Sequence, residues 1–167
     1  LELNRISSHI VCIATGGMEI GALTVMTIGF RERELVLDLF ELITGLRMNH
    51  AFIRPGGVAQ AMPPGALDQI RDFITLMRKR LPEYAALCNA NPIFKGRLKG
   101  VGHLELAGCL ALGLSGPVLR STGYDWDLRR TQPYWGYDEY DFEVVTWDEP
   151  DAYGRFRIRL EEMHQSL

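Results

Sequence analysis

Four polar side chains that could bind a ligand or move a proton lie close together in an otherwise apolar stretch. They are Arg47, Asn49, His50 and Arg54. Two cations and an imidazole are costly to bury among apolar neighbours unless they find partners. The pattern therefore favours a segment that faces something polar inside a larger assembly. A local interpretation stays open: Gly45 would end a helix, whose dipole favours cations there, and the Pro-Gly-Gly that follows would be a turn.

Glu19 is a second candidate, because it is the one charged residue between residues 10 and 30. That run is long enough, at roughly 20 residues, to span a bilayer. A carboxylate near the middle and the Gly16-Gly17 pair favour a buried helix or helix pair instead. His9 would lie about 15 Å from Glu19 along a straight helix, so we expect the partner of Glu19 to come from elsewhere.

Other chemistries have no motif to support them. The glycines at 100–102 and 113–116 do not form a G-x-G-x-x-G or a phosphate-binding loop, and no serine lies in a nucleophile elbow. Asp125 and Asp127 alternate in an aromatic loop beside Arg129 and Arg130. This arrangement is more typical of a solvated or arginine-paired motif than of acid/base catalysis. We therefore predict no catalytic residue in the isolated fragment and no catalytic activity for it.

Composition fits one globular domain over residues 1–167, since 47% of the residues are hydrophobic. The formal net charge is -3, with 18 Lys and Arg against 21 Asp and Glu. That balance disfavours binding to nucleic acid or to an anionic membrane surface, because both need a basic patch. Cys12, Cys88 and Cys109 are widely spaced among apolar residues and are expected to be core residues in a reducing compartment. No metal-binding motif is present.

The two ends of the sequence resemble the interior of helices. The chain starts at Leu1 without Met, and no Gly or Pro closes its last helical pattern. We therefore expect a central fragment of a larger chain. The start also lacks the pattern of a signal peptide.

Helical periodicity dominates the first half of the chain. Residues 31–44 predict a helix with a buried C-terminal half, and residues after Met62 predict an amphipathic helix that extends to Leu87. Pro82 is expected to bend or split that helix, with residues 78–80 on its solvent side. Between these helices, the Pro-Gly-Gly of residues 55–57 predicts a tight β-turn joining short paired segments, with at least one glycine at positive φ.

The second half alternates glycines with short apolar pieces. It predicts one or two short helices around residues 104–112, and an ordered aromatic loop from residue 123 to residue 142. Residues 142–147 could form a strand, and Asp151 could cap a final helix. The predicted fold class is therefore mainly α, with a small β element near residues 51–58.

Many separate motifs, in order and nearly end to end, resemble the quinone-site core subunit of respiratory complex I, the proton-pumping NADH:quinone oxidoreductase. These motifs are Thr15-Gly-Gly-Met-Glu-Ile-Gly-Ala22, Phe30-Arg-Glu-Arg-Glu34, Arg47-Met-Asn-His50, Arg54-Pro-Gly-Gly-Val58, Asn91-Pro-Ile-Phe94, Gly113-Leu-Ser-Gly116, Leu119-Arg-Ser-Thr-Gly-Tyr-Asp-Trp-Asp-Leu-Arg-Arg130 and Arg159-Leu-Glu-Glu-Met-His-Gln-Ser166. This family, the D subunits of the complex, is related to the large subunit of nickel-iron hydrogenases, whose metal-binding Cys-x-x-Cys pairs are absent here.

The resemblance implies a helical core of the hydrogenase large-subunit type, in the peripheral arm on the cytoplasmic side of the plasma or inner membrane. It implies no directly bound cofactor, quinone as substrate, and an iron–sulfur cluster held by a partner subunit. That partner, the B subunit, would form the quinone cavity with this chain, beside the terminal cluster. The implied partners are the other complex I subunits, especially the B and C subunits and the H subunit of the membrane arm.

The resemblance also implies roles for particular residues. Thr15 and Glu19 fall on the quinone pocket, where Glu19 replaces the Asp of many members. Arg47, Asn49 and His50 fall on the cluster-facing or proton-coupled segment. Many members carry His where this chain has Asn49, and an amide does not titrate near neutral pH. His50 is expected to face away from the cluster, because adjacent residues on a strand or helix diverge.

A third departure from the family is Ala61, where an Asp is usual and would cap the following helix. Two other interpretations remain open at this stage. One is a non-catalytic interaction or assembly module that keeps the helical core but has lost the quinone site, which Asn49 and Ala61 would support. The other is a membrane-spanning helical protein, which rests on residues 10–30 alone.

Overall fold

The computed structural model describes residues 1–167 and is dominated by α-helices, as predicted. The elements are α1 (Glu2–Glu19), α2 (Leu23–Thr44), β1 (Ile53–Arg54), β2 (Gly57–Val58), α3 (Ala66–Asn89), α4 (Pro92–Leu98), α5 (Leu106–Ala111), α6 (Gly116–Arg120), α7 (Leu128–Thr131), a 3₁₀ turn (Tyr137–Glu139) and α8 (Ala152–Ser166). The chain forms two compact units, residues 1–84 with Leu167, and residues 85–166.

The first unit begins with a helix pair, which confirms one of the two predicted forms of the uncharged run. The break lies at Gly21, whose φ of +89° suits a residue without a side chain. The α1 and α2 helices then pack closely, since a Cβ on Gly29 would lie 2.7 Å from the Cβ of Ala14. Neither these helices nor any others combine the length and the apolar character needed to cross a membrane.

One face of α2 carries a buried acid that the sequence analysis did not single out. Glu32 is fully buried and accepts hydrogen bonds from Arg31, at 2.6 Å, and from Arg80 on α3. The expectation that Arg80 faces solvent is therefore wrong, because its guanidinium neutralises this buried carboxylate. Beside it, the Tyr84 hydroxyl donates to the Ile28 carbonyl at 3.2 Å. Burial raises the pKa of Tyr84, and the negative charge of Glu32 raises it further.

The α3 helix is continuous through Pro82, so it is not split there. Fully buried Leu81 and Tyr84 lie on either side of the proline and anchor this part of the helix in packing.

The start of α3 corrects another expectation. Because the helix begins at Ala66, Ala61 is several residues too early to be its N-terminal cap.

The predicted β element is a two-residue-per-strand antiparallel hairpin. Ile53 pairs with Val58 and Arg54 with Gly57, so Pro55 and Gly56 form the loop. Gly56 has a φ of +87°, which confirms the tight turn with a glycine in the left-handed region.

The second unit is built around paired buried charges. The Arg120 guanidinium on α6 donates to Glu162 on α8 at 2.9 Å. Asp127 accepts from the guanidinium of Arg129 at 2.9 Å, which confirms the arginine-paired interpretation of this aspartate. Asp151 accepts from the Gly154 backbone N–H at 2.7 Å and thus caps α8 as predicted.

Two further sequence predictions outside the candidate site are wrong. Residues 142–147 form no strand, because no neighbouring strand pairs with them. Instead, the backbone N–H of Glu143 donates to the Gln165 side chain at 3.1 Å, and that of Trp147 donates to the Arg120 carbonyl at 3.0 Å.

Cys12 is exposed on α1, whereas the other two cysteines are buried as expected. Burial raises the pKa of the Cys88 thiol to about 11.

Candidate functional site

A cavity of about 500 Å³ lies in the first unit, next to the segment whose polar residues opened the sequence analysis. Its polar lining comes from Asn4, Thr44, Asn49 and His50. The apolar lining residues are Leu1, Leu3, Phe40, Ile43, Phe52, Ile53, Met62 and Ile70. A mostly apolar cavity with a few convergent polar groups is the usual form of a binding site.

The end of α2 determines the course of the segment along this cavity. Gly45, at φ +81°, ends the helix and donates its N–H to the Glu41 carbonyl at 2.8 Å. Gln60 then fixes the return of the chain after the hairpin, because its side-chain amide donates to the Ile43 carbonyl at 2.6 Å. The local interpretation of Gly45 as a helix cap is thus confirmed.

Arg47 is held away from the cavity by two carboxylates of α2. Its guanidinium donates to Asp38 at 2.6 Å and also to Glu34. The hydrogen bond to Asp38, and then the one to Glu34, raises the pKa of Arg47. Arg47 does not line the cavity, so the structure does not group it with Asn49 and His50.

Asn49 has a φ of +57°, in the left-handed region that asparagine tolerates better than most residues. The segment here is neither strand nor helix. Asn49 and His50 both line the cavity. The expectation that His50 faces away from the cluster stays a prediction.

His50 packs against Phe40 with its ring edge to face, at a centroid distance of 4.8 Å. Its Nδ1 atom is buried and has no hydrogen-bond partner within the chain. Whichever tautomer the ring adopts, Nδ1 is a buried polar atom without a hydrogen-bond partner in the chain.

Thr15 and Glu19 lie at the far end of α1 from this cavity. Fifteen residues separate Asn4 from Glu19, which corresponds to about 22 Å along the helix. Glu19 is exposed at the end of α1 and makes no ion pair, and Arg5 pairs with Glu2 at 3.1 Å instead. Thr15 donates its hydroxyl proton to the Val11 carbonyl at 2.7 Å. The predicted residues therefore form two separate groups.

Sequence reasoning missed part of the cavity wall. Asn4, Phe40 and Met62 come from three different parts of the chain, and no local motif marks them.

The buried Glu32, which the sequence analysis also missed, could have been found from the sequence pattern of α2. It occupies a position in the apolar series Val25, Gly29, Val36, Leu39 and Ile43, whose spacing of three, four and seven residues runs along one face of α2.

Comparison with known proteins places these features in context. Residues 19–167 match the model of the family described as respiratory-chain NADH dehydrogenase, 49 kDa subunit. Over 100% of its length, the chain is 83% identical to the D subunit of NADH-quinone oxidoreductase from a Nocardioides species. It is 68% identical to a D subunit of the same oxidoreductase from Streptomyces coelicolor and 62% identical to that of Mycolicibacterium vanbaalenii, again over its full length. The chain spans 37% to 38% of the length of these relatives.

Proposed function

Because the chain belongs to the family of the 49 kDa subunit of respiratory-chain NADH dehydrogenase, we propose that it forms part of the quinone-binding cavity of the proton-pumping NADH:quinone oxidoreductase. In this proposal, the B subunit supplies the rest of the cavity and holds the terminal iron–sulfur cluster beside it. The observation that carries the proposal is the 83% identity, over the whole chain, to a protein named as the D subunit of NADH-quinone oxidoreductase.

Glu19 and Thr15 are assigned to the quinone side of the complex's quinone-binding cavity. The Glu19 carboxylate is exposed and has no partner within the chain, so it is free to accept a hydrogen bond from a group outside it. Thr15 lies one helical turn earlier, at the i, i+4 spacing that places both residues on one face of α1. The resemblance implies a histidine, outside residues 1–167, that holds the quinone headgroup, and this arrangement suits a carboxylate that orients that histidine.

Asn49 is assigned to the side that faces the terminal cluster, whereas His50 is expected to face away from the cluster. The Asn49 amide can donate a hydrogen bond to a cluster sulfur without changing its charge. Arg47 supports the segment through its ion pairs with α2. The cluster potential should consequently depend less on pH than in relatives with His at position 49, and Asn49→His should steepen that dependence. Redox titration of the cluster at several pH values measures both slopes.

The place of the chain in the cell is part of the same proposal. It would belong to the peripheral arm, on the cytoplasmic side of the membrane, and would contact the B and C subunits and the H subunit of the membrane arm. Quinone is the substrate and the cluster belongs to a partner, so the chain itself would hold no cofactor. Electron transfer and proton translocation would be properties of the complex, and the fragment alone would be inactive.

The test is Glu19→Gln in the full-length subunit within the intact complex. We expect lower quinone-linked NADH oxidation with unchanged electron transfer from NADH to an artificial acceptor, because only the quinone end loses a charged hydrogen-bond acceptor. Glu41→Gln is the matched control, since Glu41 is an exposed acid on α2. Unchanged quinone-linked turnover in Glu19→Gln, or equal loss of both activities, would contradict the proposal.

A further inference from the structure

The hairpin of residues 53–58 is joined to α2 on both sides of its strands. Before the hairpin, the ring of His50 packs against Phe40 of α2 at a centroid distance of 4.8 Å. After it, the side-chain amide of Gln60 donates to the Ile43 carbonyl of α2 at 2.6 Å. Both attachments lie near the C-terminal end of the same helix, so together they set where the hairpin lies relative to α2.

The hydrogen bonds within the hairpin do not make this connection. The Ala59 backbone N–H donates to the Phe52 carbonyl at 2.7 Å, next to the pairing of Ile53 with Val58. These contacts join residues of the hairpin to each other, so they preserve its shape and not its position. The position depends on the residues that flank the hairpin, and Gln60 follows it directly.

The Ile43 carbonyl is an acceptor for which α2 itself supplies no donor. The last four carbonyls of a helix have no partner in a following turn. Gly45 ends the helix two residues later, and its N–H donates to the Glu41 carbonyl. Ile43 is buried, so its carbonyl gains from a donor that the chain supplies. Gln60 supplies that donor across a separation of 17 residues.

The cavity described above is lined by residues on both sides of Gln60. Asn49 and Phe52 line it before Gln60, and Met62 lines it two residues after. Asn49 has a φ of +57°, and a residue other than glycine keeps such a conformation only where the surrounding contacts fix it. The ion pairs of Arg47 hold the chain on one side of Asn49, and the hydrogen bond of Gln60 holds it on the other.

We propose that Gln60 is a positioning residue for Asn49, because it holds the return of the chain to α2 and so fixes the direction of the Asn49 amide. This inference rests on the proposed function, since it takes that amide to donate to a sulfur of the terminal cluster. Such a bond depends on the distance and angle of the donor, and hydrogen bonds to the sulfurs help to set the cluster potential. Gln60 does not line the cavity, so it acts on the potential through Asn49.

The experiment is a redox titration of the terminal cluster in the intact complex, with each substitution made in the full-length subunit. Asn49→Ala should lower the midpoint potential, because a cluster sulfur loses a donor. Gln60→Met keeps the length of the side chain but removes the amide, and it should lower the potential by a smaller amount. Gln69→Met is the matched control, since Gln69 is an exposed glutamine on α3, and it should leave the potential unchanged.

The double variant separates positioning from an independent effect of Gln60. If Gln60 acts through Asn49, adding Gln60→Met to Asn49→Ala should cause no further shift in the potential. Additive shifts would overturn the proposal. A lower unfolding temperature of Gln60→Met with the wild-type potential would overturn it as well, because that result describes a structural role alone.

This outcome is separable from that of the proposed function. A shift in Asn49→Ala without one in Gln60→Met would retain Asn49 beside the cluster and remove the role of Gln60. No shift in either variant would overturn both assignments. Non-additive shifts in the two variants, with no effect of Glu19→Gln on quinone-linked turnover, would retain the positioning role and remove the quinone role of Glu19.

Discussion

The buried carboxylates outside residues 45–62 have hydrogen-bond partners within the chain, whereas the segment of residues 45–62 leaves two polar groups without a matching one. Glu32 and Asp127 are both buried and both neutralised by arginines. In the 45–62 segment, by contrast, Arg54 has no carboxylate and His50 Nδ1 has no hydrogen bond. The difference teaches that the helical scaffold supplies partners for its own buried acids, while the segment is shaped to meet something outside the chain.

The largest expected effect is on the buried charges of the scaffold. Asp127→Ala should lower the free energy of unfolding by about 3 kcal/mol at neutral pH, because it leaves Arg129 buried without its carboxylate. Asp125→Ala is the control, since Asp125 is exposed two residues earlier. Urea unfolding of the full-length subunit measures both, and equal losses would show that Asp127 has no special role.

The same variant predicts a pH dependence. Burial alone would raise the pKa of Asp127, but the hydrogen bonds and charge of Arg129, with the charge of Arg120, outweigh it and lower the pKa. A carboxyl whose pKa is lower in the folded state stabilises the protein above its unfolded pKa, and this contribution is lost as pH falls through the folded pKa. The stability difference between wild type and Asp127→Ala should therefore shrink in acid. A constant difference would contradict this assignment.

The next effect concerns how tightly the scaffold helices approach each other. Gly29→Ala should destabilise the subunit by about 2 kcal/mol, because its Cβ would lie 2.7 Å from that of Ala14. Gly16→Ala is the matched control. Gly16 is also a helical glycine, but no neighbouring atom lies within 4 Å of the Cβ that the substitution would add. That control should gain up to about 1 kcal/mol from helix propensity. Thermal unfolding measures the stability of both variants. A stabilised Gly29→Ala variant would show that the two helices can move apart freely.

A smaller effect is expected from one hydrogen bond in the core. Tyr84→Phe removes the donor to the Ile28 carbonyl and should cost about 1 kcal/mol in unfolding free energy. Tyr124→Phe, at a tyrosine that is 43% exposed, should leave stability unchanged. If both variants unfold at the same urea concentration as wild type, the hydroxyl of Tyr84 does not stabilise the core.

The smallest effect is expected in the 45–62 segment itself. Val58→Ser should change the stability of the isolated full-length subunit by no more than about 0.5 kcal/mol, because the side chain is exposed there. Calorimetric unfolding checks this expectation. A large loss of stability would make the hairpin part of the scaffold.

Local signals in the sequence predicted the scaffold and the hairpin well. The turn at Gly56 and the Asp151 cap each depend on a few neighbouring residues. The break between α1 and α2 lies at Gly21, and not at the Gly16-Gly17 pair that the sequence analysis singled out, which lies inside α1. The failed strand at 142–147 shows the limit of such signals, because strand-forming residues need a partner strand that nothing in the local sequence specifies. Arg80 was misplaced for a related reason, since its partner Glu32 lies in another helix.

The candidate site was less predictable than the fold. Its polar residues were visible as a cluster, but the cavity depends on Asn4, Phe40 and Met62, which only tertiary packing brings together. Asn49 also adopts a left-handed backbone conformation, which asparagine permits without requiring it. The separation of Glu19 from this cavity likewise follows from where α1 begins and ends.

Hydrogen–deuterium exchange on the full-length subunit, alone and in the assembled complex, tests the central contrast most directly. The account predicts that amides of α1 and α2 are protected in both states, because their partners lie within the chain. The hairpin amides, such as that of Ala59, which donates to the Phe52 carbonyl at 2.7 Å, should exchange quickly in the free subunit and slowly in the complex. Equal exchange of the hairpin in both states would contradict the claim that the 45–62 segment is completed by a partner.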